Sequence, residues 1–186
     1  MDFAPQICVA GRSNCGKSSL LNYVMGAKLC RTSSTPGRTR LINVFEAVTD
    51  AVGTSAEKFY FVDLPGYGYH EAGKDAGRDF GAMTESYFEN NCEIIAQTLC
   101  LMDIRREPSE LDKVLINYLR DMNLPFTAVL TKSDKLSRVK IADAKLRIAS
   151  ALGLARDNLV VTSADGNCGK EALLSRIEQV IAAQAE

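Results

Sequence analysis

Eight residues, Gly11-Arg12-Ser13-Asn14-Cys15-Gly16-Lys17-Ser18, constrain the fold of this chain more than any other stretch. They fit the spacing Gly-x-x-x-x-Gly-Lys-[Ser/Thr], a turn whose backbone N–H groups close on an anion. The flanks are those the turn needs. Ile7-Cys8-Val9-Ala10 reads as a buried strand, and Ser18-Ser19-Leu20-Leu21-Asn22-Tyr23-Val24 reads as a helix. Loop and helix start aim N–H groups at one point, where the helix dipole adds partial positive charge. Lys17 then reaches the outer phosphates of a nucleoside triphosphate, and the Ser18 hydroxyl binds Mg²⁺. A glycine-rich turn carrying a surface lysine is the plainer alternative, and it does not require these flanks. The octet does not choose the base.

The base is read from Thr131-Lys132-Ser133-Asp134, which follows a second buried-strand run, Phe126-Thr127-Ala128-Val129-Leu130. A carboxylate has two acceptor oxygens side by side, and guanine offers two neighbouring donors, N1–H and the 2-amino group. Adenine has an acceptor at N1 and no amino group at position 2, so it would leave Asp134 unpaired. The Lys132 stem can lie along the purine face. Lys-x-Asp alone also describes a solvated loop. Its place after a strand, downstream of a phosphate turn, points to guanine.

Three more segments belong to the pattern. Asp63-Leu64-Pro65-Gly66 ends the apolar run Phe59-Tyr60-Phe61-Val62. A carboxylate at a strand's end can hold Mg²⁺ through water, and a glycine N–H can meet the terminal phosphate. A plain Pro-Gly turn is the alternative. Thr35-Pro36-Gly37-Arg38-Thr39-Arg40 has loop composition, with Thr39 as a candidate second Mg²⁺ ligand; an ordinary basic loop has the same composition. Thr162-Ser163-Ala164 follows Leu159-Val160-Val161, and its backbone is a candidate donor to guanine O6.

Five motifs now stand in order: Gly-Arg-Ser-Asn-x-Gly-Lys-Ser, Thr-Pro-Gly-Arg-Thr, Asp-Leu-Pro-Gly-Tyr-Gly-Tyr, Leu-Met-Asp-Ile-Arg and Thr-Lys-x-Asp-Lys-Leu. Together they resemble the EngB (YihA/YsxC) family of GTP-binding proteins of ribosome assembly, over residues 7–181. The resemblance implies a Mg²⁺-dependent, slowly hydrolysing GTP-binding protein that acts as a nucleotide-controlled assembly factor for the large ribosomal subunit. Its implied partners are GTP, GDP, rRNA and ribosomal proteins, with no membrane; its implied setting is cytoplasmic, with links to the cell cycle and septation. It implies that residues 11–18 bind phosphates and that Ser18 and Thr39 ligate Mg²⁺, with Asp63 acting through water. Gly37, Arg38, Thr39, Arg40, Leu41, Asp63, Leu64, Pro65 and Gly66 would touch the nucleotide in its triphosphate state. Thr131, Lys132, Ser133, Asp134, Thr162, Ser163 and Ala164 would hold the base. Lys17, Asn14, Thr39 and Gly66 would carry hydrolysis.

Two departures from the family pattern are visible. Members usually carry extra residues before the first strand, which here begins close to Met1, so a trimmed chain or a missing strand-edge contact is expected. Cys15 takes a position where alanine is common. A thiol at a helix N-terminus is expected to have a lowered pKa and nucleotide-protectable alkylation; a passive small residue is the alternative.

At 186 residues, one GTP-binding domain over 1–186 is expected. The six cysteines form no Cys-x-x-Cys pair and no metal spacing, which suits a reducing compartment. There is no charged-then-apolar leader and no run of eighteen apolar residues, which argues against secretion and membrane spanning. A net charge of −1 is not the footprint of a general nucleic-acid binder. RNA contact would need a local patch, such as Arg31, Arg38 and Arg40 or Arg105-Arg106, and these also suit solvation or nucleotide phosphate. His70 reads as an exposed loop residue, and a monomer is expected.

Leu111, Val114, Leu115, Tyr118, Leu119 and Met122 recur at helical spacing. So do Ile141, Ala144, Ile148, Ala149 and Leu152, and lastly Leu173, Ile177, Val180 and Ile181. Runs 41–48 and 59–62 flank a Gly/Ser/Thr/Ala stretch and predict an antiparallel hairpin. Later strands are separated by helices, which implies parallel pairing. The expected fold is α/β of the P-loop GTPase type. It has a six-stranded, mostly parallel sheet with one antiparallel edge strand and helices on both faces. The ligand should lie at the carboxyl ends of the strands.

Segments 30–40 and 66–81 have little apolar content, so they are expected to be multi-state until a third phosphate engages Thr39 and Gly66. Tyr67 stands where many GTPases place a water-orienting glutamine. A phenol cannot donate and accept at that reach, so intrinsic turnover is expected at or below about 10⁻⁴ s⁻¹. The Asn14 side-chain carbonyl is a candidate K⁺ ligand, with K⁺ standing in for an arginine finger; merely tying the loop is its alternative role. Two other function classes stay open. One is a guanine-nucleotide sensing module with negligible hydrolysis. The other is a P-loop phosphotransferase, against which Lys-x-Asp and the lack of an acceptor lid argue.

Overall fold

The computed structural model describes residues 4–26, 41–49, 57–68 and 81–184. The apolar runs become strands β1 (Gln6–Gly11), β2 (Asn43–Val48), β3 (Lys58–Asp63), β4 (Ile95–Asp103), β5 (Phe126–Thr131) and β6 (Leu159–Val161). They form a six-stranded sheet in the order β2-β3-β1-β4-β5-β6. The pair β2–β3 is antiparallel, Asn43 facing Asp63 and Val48 facing Lys58. Every other pairing is parallel. The expected hairpin and edge strand are therefore present, and the carboxyl ends of β1, β3, β4, β5 and β6 share one edge of the sheet.

The helices are α1 (Lys17–Met25), α2 (Ala82–Asn91), α3 (Glu110–Asp121), α4 (Arg138–Leu152) and α5 (Lys170–Gln184). Leu20, Leu21 and Val24 of α1 pack with Leu173, Ile177 and Ile181 of α5 on one face of the sheet. Phe88 of α2, Leu115 and Leu119 of α3, and Ala144 and Ile148 of α4 cover the other. Because β4 lies between both layers, all nine of its residues are buried, the pattern of a central parallel strand. β2 instead alternates half-buried with exposed residues, as an edge strand covered on one face must.

The three helical stripes read from the sequence match α3, α4 and α5. No stripe marked α2, because it buries only Thr84 and Phe88. β4 also carries a bulge. Gln6 pairs with Ile95 but Ile7 with Gln97, so Ala96 is the extra residue. Gln97 Nε2 donates to Thr127 Oγ1 at 2.9 Å, and Arg176 of α5 donates to the same oxygen at 3.2 Å. Among the described residues no helix is long and apolar enough to cross a membrane.

Candidate nucleotide-binding site

The octet bridges β1 and α1. A Cβ on Gly11 would sit 2.7 Å from Cys15 Sγ and 2.7 Å from Leu101 O, so the chain can turn this close to β4 only without a side chain. Gly16 takes φ 108° and Asn14 φ 63°; asparagine is among the residues that tolerate the left-handed region. Lys17 is buried, and its Nζ donates to Gly11 O at 2.9 Å and to Arg12 O at 3.4 Å. An ammonium has three donors. Two hold Lys17 to the loop.

The segment after β3 closes on the octet. Ser13 N donates to Tyr67 O at 3.1 Å, and a Cβ on Gly66 would lie 2.8 Å from Lys17 Nζ. Asp63 is 3% exposed, and its Oδ1 has no hydrogen-bond partner among the described residues. Burial pushes its pKa up to about 6, while the Lys17 charge pulls it back. A buried carboxylate oxygen without a donor is costly unless a cation or water meets it. Asp63 and the half-buried Ser18 hydroxyl at the first turn of α1 supply hard oxygens, which fit hydrated Mg²⁺. Leu64 is fully buried, and its N–H donates to Val9 O at 3.0 Å. Pro65 and Gly66 are half-buried, and Leu41 is exposed. Gly37, Arg38, Thr39 and Arg40 lie outside the described residues, as do Arg31, His70, the rest of segment 30–40 and residues 69–80 of segment 66–81.

Thr131 ends β5 and donates its hydroxyl to Cys15 O at 2.5 Å, with Met102 O 3.1 Å away. Lys132 takes φ 61°, and its Nζ donates to Asn14 O at 2.7 Å. The segment 131–134 is thereby tied to the octet at two points. Asp134 Oδ1 accepts Ser163 Oγ–H at 2.5 Å, and its Oδ2 pairs with Lys135 at 2.7 Å. Lys135 and Ser163 together hold the Asp134 carboxyl below its ordinary range, so it stays ionised. Gly166 N donates to Ser163 Oγ at 2.8 Å, and Ser133 N donates to Thr162 O at 3.2 Å. Ala164 sits in the turn that follows. Residues 131–134 and 162–164 are thus stitched together at the sheet edge where the octet lies.

One expectation changes. Cys15 is 5% exposed, and burial pushes its thiol up, with Lys17 opposing only in part. The lowered pKa expected from a helix N-terminus does not arise, because the side chain turns inward against β4 rather than outward. Tyr67 is 3% exposed, and its hydroxyl donates to Asp112 Oδ1 at 2.8 Å. It lies in the core. Sequence reasoning passed over Asp112 and Asp103. Asp103 stood inside a quoted motif beside its partner Arg105, but its second partner, Lys132, lies 29 residues away after β5.

Residues 6–132 match the family described as 50S ribosome-binding GTPase. The chain is 40% identical over 181 residues to the probable GTP-binding protein EngB of Caldanaerobacter subterraneus subsp. tengcongensis, covering 97% of this chain and 89% of that one. It is 40% identical over 183 residues to the EngB protein of Geobacter metallireducens, covering 98% and 85%. The solved structure of a probable GTP-binding protein engB aligns with TM-score 0.72 at 23% identity, over 96% of this chain and 99% of that one. Era of Aquifex aeolicus aligns with TM-score 0.73 at 22% identity, over 95% and 56%. The solved structures place the chain in the P-loop GTPase fold. Similarity to curated relatives over nearly its whole length establishes that the chain belongs to the EngB family of GTP-binding proteins.

Proposed function

We propose that this chain is a single GTP-binding domain, 1–186, that works as a monomeric, cytoplasmic assembly factor for the large ribosomal subunit, binding and slowly hydrolysing GTP. The ribosomal part rests on the family description and the curated relatives. The observation that carries the nucleotide part is Asp134: an ionised fork, steadied by Ser163 and Lys135, on a segment that Thr131 and Lys132 tie to the phosphate turn. Two acceptors in that arrangement match guanine's two donors and no edge of adenine.

In this reading the N–H groups of 11–18 bind the phosphates, and Lys17 gives its third donor to the outer ones. Ser18, Thr39 and, through water, Asp63 would hold Mg²⁺, which would supply positive charge against the phosphates. Gly66 N–H meets the terminal phosphate, so segments 30–40 and 66–81 respond to its presence and form the surface that ribosomal particles read. Asn14 offers a carbonyl to K⁺, so turnover in K⁺ exceeds that in Na⁺ at equal ionic strength unless Asn14 is replaced by alanine.

Calorimetry tests the base assignment. GTP should bind at least a hundredfold more tightly than ATP, and Asp134→Ala should erase most of that preference, since two guanine donors then lose their acceptors at about 1–3 kcal/mol each. Equal affinity for both nucleotides refutes it. A sensing module with negligible hydrolysis is the second reading, because Tyr67 stands where many GTPases place a water-orienting glutamine. Single-turnover hydrolysis with and without large-subunit precursors separates the two.

A further inference from the structure

Asp103 ends β4 at the sheet edge that carries the octet and the base segment. Its side chain is 8% exposed, and both oxygens are engaged. Arg105 donates from its backbone N at 3.1 Å and from Nε at 2.9 Å to Oδ1, and from Nη2 at 2.6 Å to Oδ2. Lys132 Nζ lies 3.2 Å from Oδ2. Burial alone would raise the pKa of this carboxyl. The Arg105 fork and the Lys132 ammonium outweigh it and hold Asp103 well below the usual carboxylate range.

The consequence falls on Lys132. Its ammonium is gripped from two sides, by Asp103 and by the Asn14 carbonyl at 2.7 Å. The Arg105 fork decides which Asp103 oxygen faces it. A free lysine side chain carries about 2 kcal/mol of rotamer entropy, and a ligand that needs it ordered must overcome that loss. A lysine already fixed at its tip presents its stem to a purine with the loss already incurred.

We propose that Asp103, oriented by Arg105, is a positioning residue for guanine nucleotide, acting through Lys132 rather than on the ligand itself. This rests on the nucleotide reading above. The test is a double-mutant cycle on the full chain, with GDP and ADP affinities measured by calorimetry. Asp103→Asn should weaken GDP binding about tenfold, within the usual range for directly contacting residues. Lys132→Ala should weaken it at least as much, and the double variant should bind no more weakly than Lys132→Ala alone. Should Asp103→Asn fail to fold, Arg105→Gln on a half-exposed side chain replaces it. The expected result is then a loss of about threefold with Lys132 present and none in the Lys132→Ala background. Losses that multiply, or an Asp103→Asn affinity within twofold of the parent, overturn the proposal while leaving guanine recognition standing. A parent chain that binds ADP as tightly as GDP overturns both.

Discussion

Asp63 links burial to chemistry within a single residue. Its folded-state pKa, about 6, lies above the ordinary 3.8. Between those values the folded chain keeps a proton that the unfolded chain has lost, so stability falls as pH rises through that window. Above it the ionised carboxylate costs about 3 kcal/mol. Asp63→Asn should therefore be the more stable chain in urea at pH 7.5 without divalent ions, by up to that amount, and should lose its advantage at pH 4. Mg²⁺ should reverse the order at pH 7.5 by stabilising the parent only. An equal stability difference at both pH values would refute this account of Asp63. Asp63 was legible in the sequence because it closes an apolar run, and a strand's end fixes where its last side chain sits; Asp134 was legible because Lys-x-Asp follows the end of β5 downstream of a phosphate turn. Cys15 and Tyr67 were not legible. Which way a loop side chain faces is decided by partners far along the chain: the Cys15 carbonyl meets Thr131, 116 residues away, and the Tyr67 hydroxyl meets Asp112, 45 residues away.

At the scale of elements, α3 shows how a helix start can anchor a loop. Ser109 caps it: its N–H and hydroxyl both donate to Asp112 Oδ2 at 2.7 Å, and its Oγ accepts from Asp112 N at 3.3 Å. Asp112 Oδ1 is left to receive Tyr67. One buried carboxylate thus caps a helix and fastens the segment that follows Asp63. Burial, first of all, and then the Asp112 charge hold the Tyr67 hydroxyl far above its ordinary pKa, so it serves as a neutral donor. Tyr67→Phe should destabilise the chain by about 1–3 kcal/mol in urea, because Asp112 keeps its burial and loses a donor. Single-turnover GTP hydrolysis should stay within twofold of the parent. A larger fall in that rate would place the hydroxyl in the chemistry. None of this could be read from the periodicity that revealed α3, since a 3.6-residue stripe reports the buried face and says nothing of what meets the cap.

For the whole molecule, alternation of apolar runs and helical stripes was enough to order the layers, because a parallel sheet buried on both faces admits few arrangements. The β4 bulge was beyond that reading, since it depends on a neighbouring strand's register and not on the β4 sequence. The antiparallel edge has its own consequence. Along β2, Val44 and Val48 are 52% and 57% exposed, with Glu46 between them paired to Lys58 at 3.0 Å. A charge between two outward valines is what keeps a strand border from recruiting another chain. Glu46→Val should make concentrated solutions turn cloudy at protein levels where the parent stays clear by light scattering, with little change in nucleotide affinity. Equal turbidity of the two chains would show that this single carboxylate does not guard the outermost strand.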